Sequence, residues 1–249
     1  MHAALETRGL CKNFGALTVA EQIDFRLEAG ARHALIGPNG AGKTTFINML
    51  SGRFAPSSGQ ILLAGEDVTA LGQVARVKRG LARTFQISML FKNATVVDNV
   101  AFAVAERAGV AWRMLRPARA YREVVDESMA LLETLGLTQD ARLRVAELSY
   151  GKQRLVEIAI ALGLRPRVLL LDEPAAGVPT SESQRILEVL DALPEEIAIL
   201  IIEHDMDLVF RFATRITVLA QGKVLIAGTP AEIAADKEVH EIYLGERHA

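Results

Sequence analysis

Val168 to Leu171 and Ala198 to Ile202 are apolar at every position, and each run stops at an acid, in "RVLLLDEP" and "AILIIEHD". A strand with one wet face alternates apolar and polar residues, so an unbroken apolar strand has to be covered on both faces, as in the parallel sheet of an α/β protein. Between the two runs, "SESQRILEVLDAL" repeats apolar residues at helical spacing and supplies the crossover that parallel neighbours need. The chain reads as α/β with a mainly parallel core sheet.

A third run, "ARHALIG", leads instead into "PNGAGKTT" and then "FINMLSG". Gly37, Gly42, Lys43 and Thr44 hold the spacing G-x-x-x-x-G-K-[ST] between a strand and a helix. In that context backbone N–H groups and a helix N-terminus cradle phosphates, the lysine reaches the outer phosphates, and the hydroxyl binds Mg²⁺. Such a match arises by chance in about one in a hundred chains of this size. Gly37, Pro38, Asn39, Gly40, Ala41, Gly42, Lys43, Thr44 and Thr45 are therefore assigned to a bound nucleotide, with Thr44 also on the metal. Asp172 ends an apolar strand, where open α/β sheets deliver side chains to a ligand. Many buried strands end in a carboxylate at a turn; a phosphate loop upstream is what gives Asp172 to Mg²⁺, directly or through water, and Glu173 to an attacking water.

The 249 residues are half hydrophobic, enough for a substantial core, and carry a net charge of −2. No basic excess advertises a phosphate backbone, so nucleic acid is not an expected partner. Cys11 is the only cysteine, which rules out an intrachain disulfide and suits a reducing compartment. No apolar run nears the roughly 20 residues that span a bilayer, and the start has no basic region followed by an apolar core. The expectation is a cytosolic protein whose contact with any membrane runs through a partner.

Along the first 70 or so residues, short apolar runs alternate with turns, suggesting strands of about five residues and a Ser-Gly turn in "SSGQILLAGEDV". From Thr95 to Leu137 the period changes. Val124, Val125, Met129, Leu132 and Leu135 recur at helical spacing up to Gly136, marking a helical insert. Strands return at "RVLLLDEP" and "AILIIEHD" and in the pair "RITVLAQGKVLIAG", split by a Gln-Gly turn.

Two further stretches select among phosphate-loop proteins: "AELSYGKQRLVEIAIAL", about 20 residues before Asp172, and "IIEHD". With them the chain resembles, over nearly its whole length, the ATP-binding subunits of ABC transporters. The resemblance implies a P-loop NTPase fold with a mainly parallel core sheet, an N-terminal antiparallel β subdomain and an inserted α-helical subdomain. It implies a single nucleotide-binding domain over 1–249, with the RecA-like and β subdomains at 1–86 and 166–249 and the helical subdomain at about 87–165. It also implies ATP and Mg²⁺ as ligands, and a head-to-tail pair of chains in which "LSYGKQ" contacts the ATP held by the opposite subunit.

A helix start with Ser149 and an exposed Gly151 N–H suits a γ-phosphate, while a plain N-cap at Ser149 is the other reading. Gln86, in "RTFQ", matches the glutamine that senses the metal and the attacking water; a surface glutamine in a loop is its plain alternative. His204 matches the switch histidine on the γ-phosphate, against a hydrogen-bonded structural histidine. Phe14 stands where the family stacks an aromatic ring on adenine, against an ordinary core phenylalanine. Three positions depart from the commonest pattern: Tyr150 replaces Gly and Lys152 replaces Gln in the signature, and Pro179 stands where an aspartate is usual.

"GLARTFQISMLFKNATVVDNV", "LLLDEPAAGV", "IIEHDMDLVF" and "IYLGE" resemble the ATPases of importers for hydrophobic amino acids, typified by the branched-chain amino-acid system. That implies integral membrane permease subunits, a second ATP-binding subunit, identical or different, and indirectly a periplasmic or extracellular solute-binding protein. The chain would sit on the inner face of the cell membrane. Residues 87–100 would form much of the groove for a coupling helix, with Met89, Leu90 and Phe91 either exposed there or packed inside. An envelope-lipid export ATPase shares most of these motifs and is one alternative; a soluble ABC-type regulator is another, though such proteins usually join two cassettes in one chain or carry long insertions. A GTP switch lacks its Asn-Lys-x-Asp stretch here.

Overall fold

The computed structural model describes residues 3–84, 90–110 and 121–245. The chain forms β1 (Leu5–Phe14), β2 (Leu17–Leu27), β3 (Arg32–Ile36), α1 (Lys43–Leu50), β4 (Ser58–Leu63), β5 (Glu66–Asp67), α2 (Gln73–Val77) and β6 (Leu81–Arg83). Three helices follow, α3 (Val96–Arg107), α4 (Arg122–Thr134) and α5 (Tyr150–Gly163). The chain then gives β7 (Val168–Asp172), α6 (Thr180–Asp191), β8 (Ala198–Ile202), α7 (Met206–Phe212), β9 (Arg215–Ala220), β10 (Lys223–Gly228), α8 (Pro230–Ala235) and α9 (Lys237–Gly245). These elements divide into two compact units, one of 1–81, 167–173 and 194–249, the other of 82–166 and 174–193. Residues 174–193, assigned from the sequence to the sheet portion, thus group with the helices.

The first unit holds two sheets. One runs β10-β9-β3-β8-β7-β6, with β6 at its edge where the chain leaves this unit. Strands β9, β3, β8 and β7 are parallel neighbours, and β7 and β8 are buried at all five positions, as their unbroken apolar runs require. The register is flush: Leu35 pairs with Ile202, and Ile202 with Asp172. The residues that follow these three strands therefore emerge along one edge.

The second sheet, β2-β1-β4-β5, is antiparallel. Leu10, Ile23 and Leu27 from it share one core with Phe46 and Leu50 of α1 and with Leu170 and Leu200 of the parallel sheet. Burying each such side chain contributes about 1.5–3 kcal/mol before entropy is counted. Strands β1 and β2 run 10 and 11 residues, about twice the expected length, because register shifts near Gly9 and Cys11 let the pair bend and continue where a regular ladder would end. The expected Ser-Gly turn is the opening of β4. Gly59 is glycine because a Cβ there would lie 2.4 Å from the Gly9 carbonyl oxygen, so β4 crosses β1 closely at that point. The turns fall at Ala64-Gly65 and, as the sequence indicates, at Gln221-Gly222, with both central residues at positive φ in each.

The second unit packs α3 against α4 and α5, and α5 against α6. Gly163 lets α3 approach, since a Cβ there would meet Val104 at 3.2 Å. Glu127 of α4 accepts from Arg107 at 2.6 Å and from Arg165 at 3.1 Å, tying α3 and the end of α5 to α4. Val124, Leu132 and Leu135 are buried and α4 stops before Gly136 at φ 68°, the left-handed residue that helix ends favour.

Candidate functional site

The phosphate loop joins β3 to α1 through backbone that only glycine permits. A Cβ on Gly37 would lie 2.2 Å from the Leu219 carbonyl oxygen, and one on Gly42 would lie 2.6 Å from that of Val19. Gly42 is also the N-cap of α1, at φ 95°, with no side-chain cap bond, so the first turn presents its amides without a side chain across them. Gly222, in the β9–β10 turn, donates its N–H to the Ala41 carbonyl and braces the loop from behind. Lys43 is folded onto the loop, its ammonium donating to the carbonyls of Gly37 and Pro38. An ammonium held among neutral carbonyls beside a helix N-terminus is arranged for an anion.

At the flush strand ends, Asp172 is 5% exposed and Glu173 half-buried. Glu173 adopts φ 48°, sparsely populated for a non-glycine residue, and is held there by donating its N–H to the Ile202 carbonyl at 3.0 Å. His204 Nδ1 lies 3.8 Å from Glu173 Oε1 and 3.9 Å from Glu203 Oε2, with the ring 66% exposed. Its exposed ring contrasts with that of His33, which is buried and bonded to the Thr217 hydroxyl at 2.8 Å, its pKa pushed down to about 4 by burial and then by Arg215. Thr44 and Asp172 are hard oxygen donors of the kind Mg²⁺ takes, and a carboxylate held at a strand end, with a hydroxyl on the phosphate loop, fits such an ion.

In the helical unit, Ser149 is the N-cap of α5 and accepts from the Lys152 N–H, so the capping role is present. Gly151 departs from expectation. It is buried, and its N–H donates to Glu182 Oε2 at 2.9 Å instead of facing outward.

Phe14 is 47% exposed, not a core residue; Phe54 meets its ring edge-on at 5.9 Å, and Lys12 Nζ lies 5.1 Å from its centroid. Gln86 and Met89 lie outside the described residues. Leu90 is buried while Phe91 is 62% exposed and stacks edge-on with Phe102 at 5.4 Å, so the apolar cluster is only partly outward.

The chain matches the family model "ABC transporter" over residues 20–176 and the model "Branched-chain amino acid ATP-binding cassette transporter" over 223–249. It is 38% identical to the high-affinity branched-chain amino acid transport ATP-binding protein BraF of Pseudomonas aeruginosa, across 97% of this chain and 98% of that one. The chain belongs to the ABC transporter family. LivG of Escherichia coli, another high-affinity branched-chain amino acid transport ATP-binding protein, is 37% identical with the same coverage. Among solved structures, a nucleotide-free ATP-binding cassette from an ABC transporter has a TM-score of 0.85 at 28% identity, over 97% of this chain and 98% of that one. The ADP conformation of the ABC cassette MJ1267 also has 0.85 at 28%, over 98% and 100%.

In this ABC ATPase the three departures from the common pattern are absorbed within the helical unit. Tyr150 lies over Arg154, 5.0 Å from ring centroid to guanidinium carbon, and its hydroxyl accepts from Arg154 at 2.7 Å. Lys152 bonds both oxygens of Asp140 at 2.9 Å. Pro179 is the N-cap of α6, its carbonyl accepting from the N–H groups of Glu182 and Ser183 at 2.9 Å.

Three supporting roles escaped the sequence reading. Glu182 read only as part of the crossover helix, and Gly222 only as half of the Gln-Gly turn. Arg76, 1% exposed, donates to the carbonyls of Met49 and Leu50 at 2.6 and 2.8 Å, closing the C-terminal end of α1, and also to those of Leu71 and Thr69. A lone arginine in a short amphipathic segment carries no sign of that burial.

Proposed function

We propose that the chain is the ATP-binding and hydrolysing subunit of an ABC importer that powers uptake of branched-chain or related hydrophobic amino acids. The flush register carries the chemical part: it sends the phosphate loop, Asp172–Glu173 and His204 from the ends of three adjacent strands. The loop amides and Lys43 hold the phosphates, Phe14 stacks on adenine, and Glu173 orients or deprotonates the attacking water, with His204 beside it on the γ-phosphate. Thr44, Asp172 and Gln86 would hold Mg²⁺, which when bound neutralises charge on the phosphate oxygens. Ser149 and Gly151 meet the γ-phosphate held by a second chain, so that two subunits enclose two nucleotides.

The names of BraF and LivG and the match at 223–249 support the solute class. No helix among the described residues is long and apolar enough to cross a membrane, so a transport role requires membrane permease subunits as partners. Docking at Phe91 and Phe102 would place the chain on the inner face of the cell membrane. In this reading residues 1–86 and 166–249 form the RecA-like and β portions, apart from 174–193, which group with the helices, and the helical subdomain is inserted between.

Purification of the tagged protein from native membranes in mild detergent tests this. Two hydrophobic multi-span proteins, with or without a second ATPase, are expected alongside it, and solute-stimulated ATP hydrolysis by the reassembled complex would then identify the amino acid. Recovery of only ribosomal, repair or envelope-export proteins would overturn the importer while leaving the ATPase.

A further inference from the structure

The start of α5 already holds an anion of its own. The Gly151 N–H belongs to the first turn of the helix, where amides lack intrahelical partners and attract negative charge. In the structure that amide is taken by the carboxylate of Glu182, from the first turn of α6, at 2.9 Å. The fit depends on glycine, because a Cβ on residue 151 would lie 2.2 Å from Glu182 Oε2. Pro179 sets the position of the carboxylate, since its carbonyl receives the N–H groups of Glu182 and Ser183 and starts the helix one turn earlier. A charge-assisted bond of this kind is about twice as strong as a neutral one.

We propose that Glu182 is a resident anion that guards the signature amide. This rests on the reading above, in which Gly151 meets the γ-phosphate of a nucleotide held by a second chain. One N–H cannot serve a carboxylate and a phosphate oxygen together, and the two anions repel, so the phosphate gains the amide only when the Glu182 side chain withdraws. The guard suppresses premature closure of two subunits and makes the arrival of a γ-phosphate felt in α6, whose first residue follows Glu173 by seven positions. A guard that occupies the amide nine times in ten lowers the apparent affinity of the closing step about tenfold.

The test uses the full chain with Glu173→Gln to stop turnover, alone and combined with Glu182→Ala or Glu182→Gln. Sedimentation gives the ATP concentration at which half the protein dimerises, a fluorescent ATP analogue gives the affinity of the dilute monomer, and hydrogen exchange follows the Gly151 amide. Glu182→Ala should dimerise at about fivefold to tenfold lower ATP. Glu182→Gln, close in shape but uncharged, should fall between and covers the case in which the alanine variant does not fold. Monomer affinity should stay within twofold, and Gly151 should exchange faster in the nucleotide-free alanine variant. Unchanged or weaker dimerisation in both variants would make Glu182 a structural brace and end the proposal. Failure of the Glu173→Gln parent itself to dimerise with ATP would instead remove the two-chain reading, and the guard with it.

Discussion

The phosphate loop and the start of α5 are both backbone anion sites at helix N-termini, yet they rest in opposite ways. At the loop a cation, Lys43, lies on neutral carbonyls, and two glycines are pinned by the backbone of Leu219 and Val19. At α5 a carboxylate lies on the amide itself. In the reading proposed above, a phosphate reaching the loop would draw Lys43 from carbonyls to phosphate, its charge still an asset, whereas one reaching α5 would require Glu182 to leave. On that reading the first site captures nucleotide in a single chain and the second resists until something binds strongly enough.

The contrast is broken most directly at Glu173. Glu173→Gln should slow turnover at least about a hundredfold, on the order of 3 kcal/mol in the barrier, while leaving capture at the loop intact. Near wild-type turnover would take Glu173 out of the chemistry. Next comes the rigidity of the loop: Gly37→Ala should cost about 3 kcal/mol of stability, because its Cβ runs into backbone, and Gly40→Ala only about 1, because its Cβ meets open space. Equal losses in urea unfolding would mean that the loop is not pinned as described.

Acid sharpens the comparison between the units. His33 stays neutral in the folded sheet unit down to about pH 4, whereas an unfolded histidine takes up a proton below about 6.5. Its contribution is whole above pH 6.5 and is lost as the pH falls toward 4, reaching about 2 kcal/mol at pH 5. In the helical unit, burial pushes the Glu127 carboxyl up, but hydrogen bonds from Arg107 and Arg165 outweigh it and hold the pKa below its ordinary 4.5. That contribution is present above pH 4.5 and lost only below it. Hydrogen exchange at pH 5 should find β3 and β9 weakened before α3 and α4, and His33→Gln should flatten the fall in Tm between pH 6.5 and 5. The smallest effect is at the cap: Ser149→Ala should cost about 1 kcal/mol, read from thermal unfolding, and loosen the first turn of α5.

Much of this was legible in the sequence because the signals were local. Unbroken apolar runs gave β7 and β8, a fixed spacing gave the phosphate loop, and the places of Asp172, Glu173 and His204 at or just past strand ends made them candidates. What escaped depends on groups far apart in the chain. Nothing near Gly151 announces a partner 31 residues away. The long β1–β2 pair depends on irregular register between strands, and Gly59 read as a turn because its real constraint, the Gly9 carbonyl, lies 50 positions earlier. Exposure is also nonlocal: Phe14 was almost as readily an ordinary core phenylalanine by its sequence, and only the packed chain puts its ring in solvent.

Arg76 has an effect beyond closing a helix end. Burial pushes its pKa down, but a guanidinium stays charged, so a full positive charge sits at the C-terminal end of an eight-residue helix whose other end adjoins the phosphate loop. Eight residues span about 12 Å, and across that distance, at an effective dielectric near 20, one buried charge is worth about 1 kcal/mol for each unit of phosphate charge. In the reading proposed above, the pull on ATP would therefore begin behind the helix as well as in front of it, from a side chain at the helix end away from the phosphate loop.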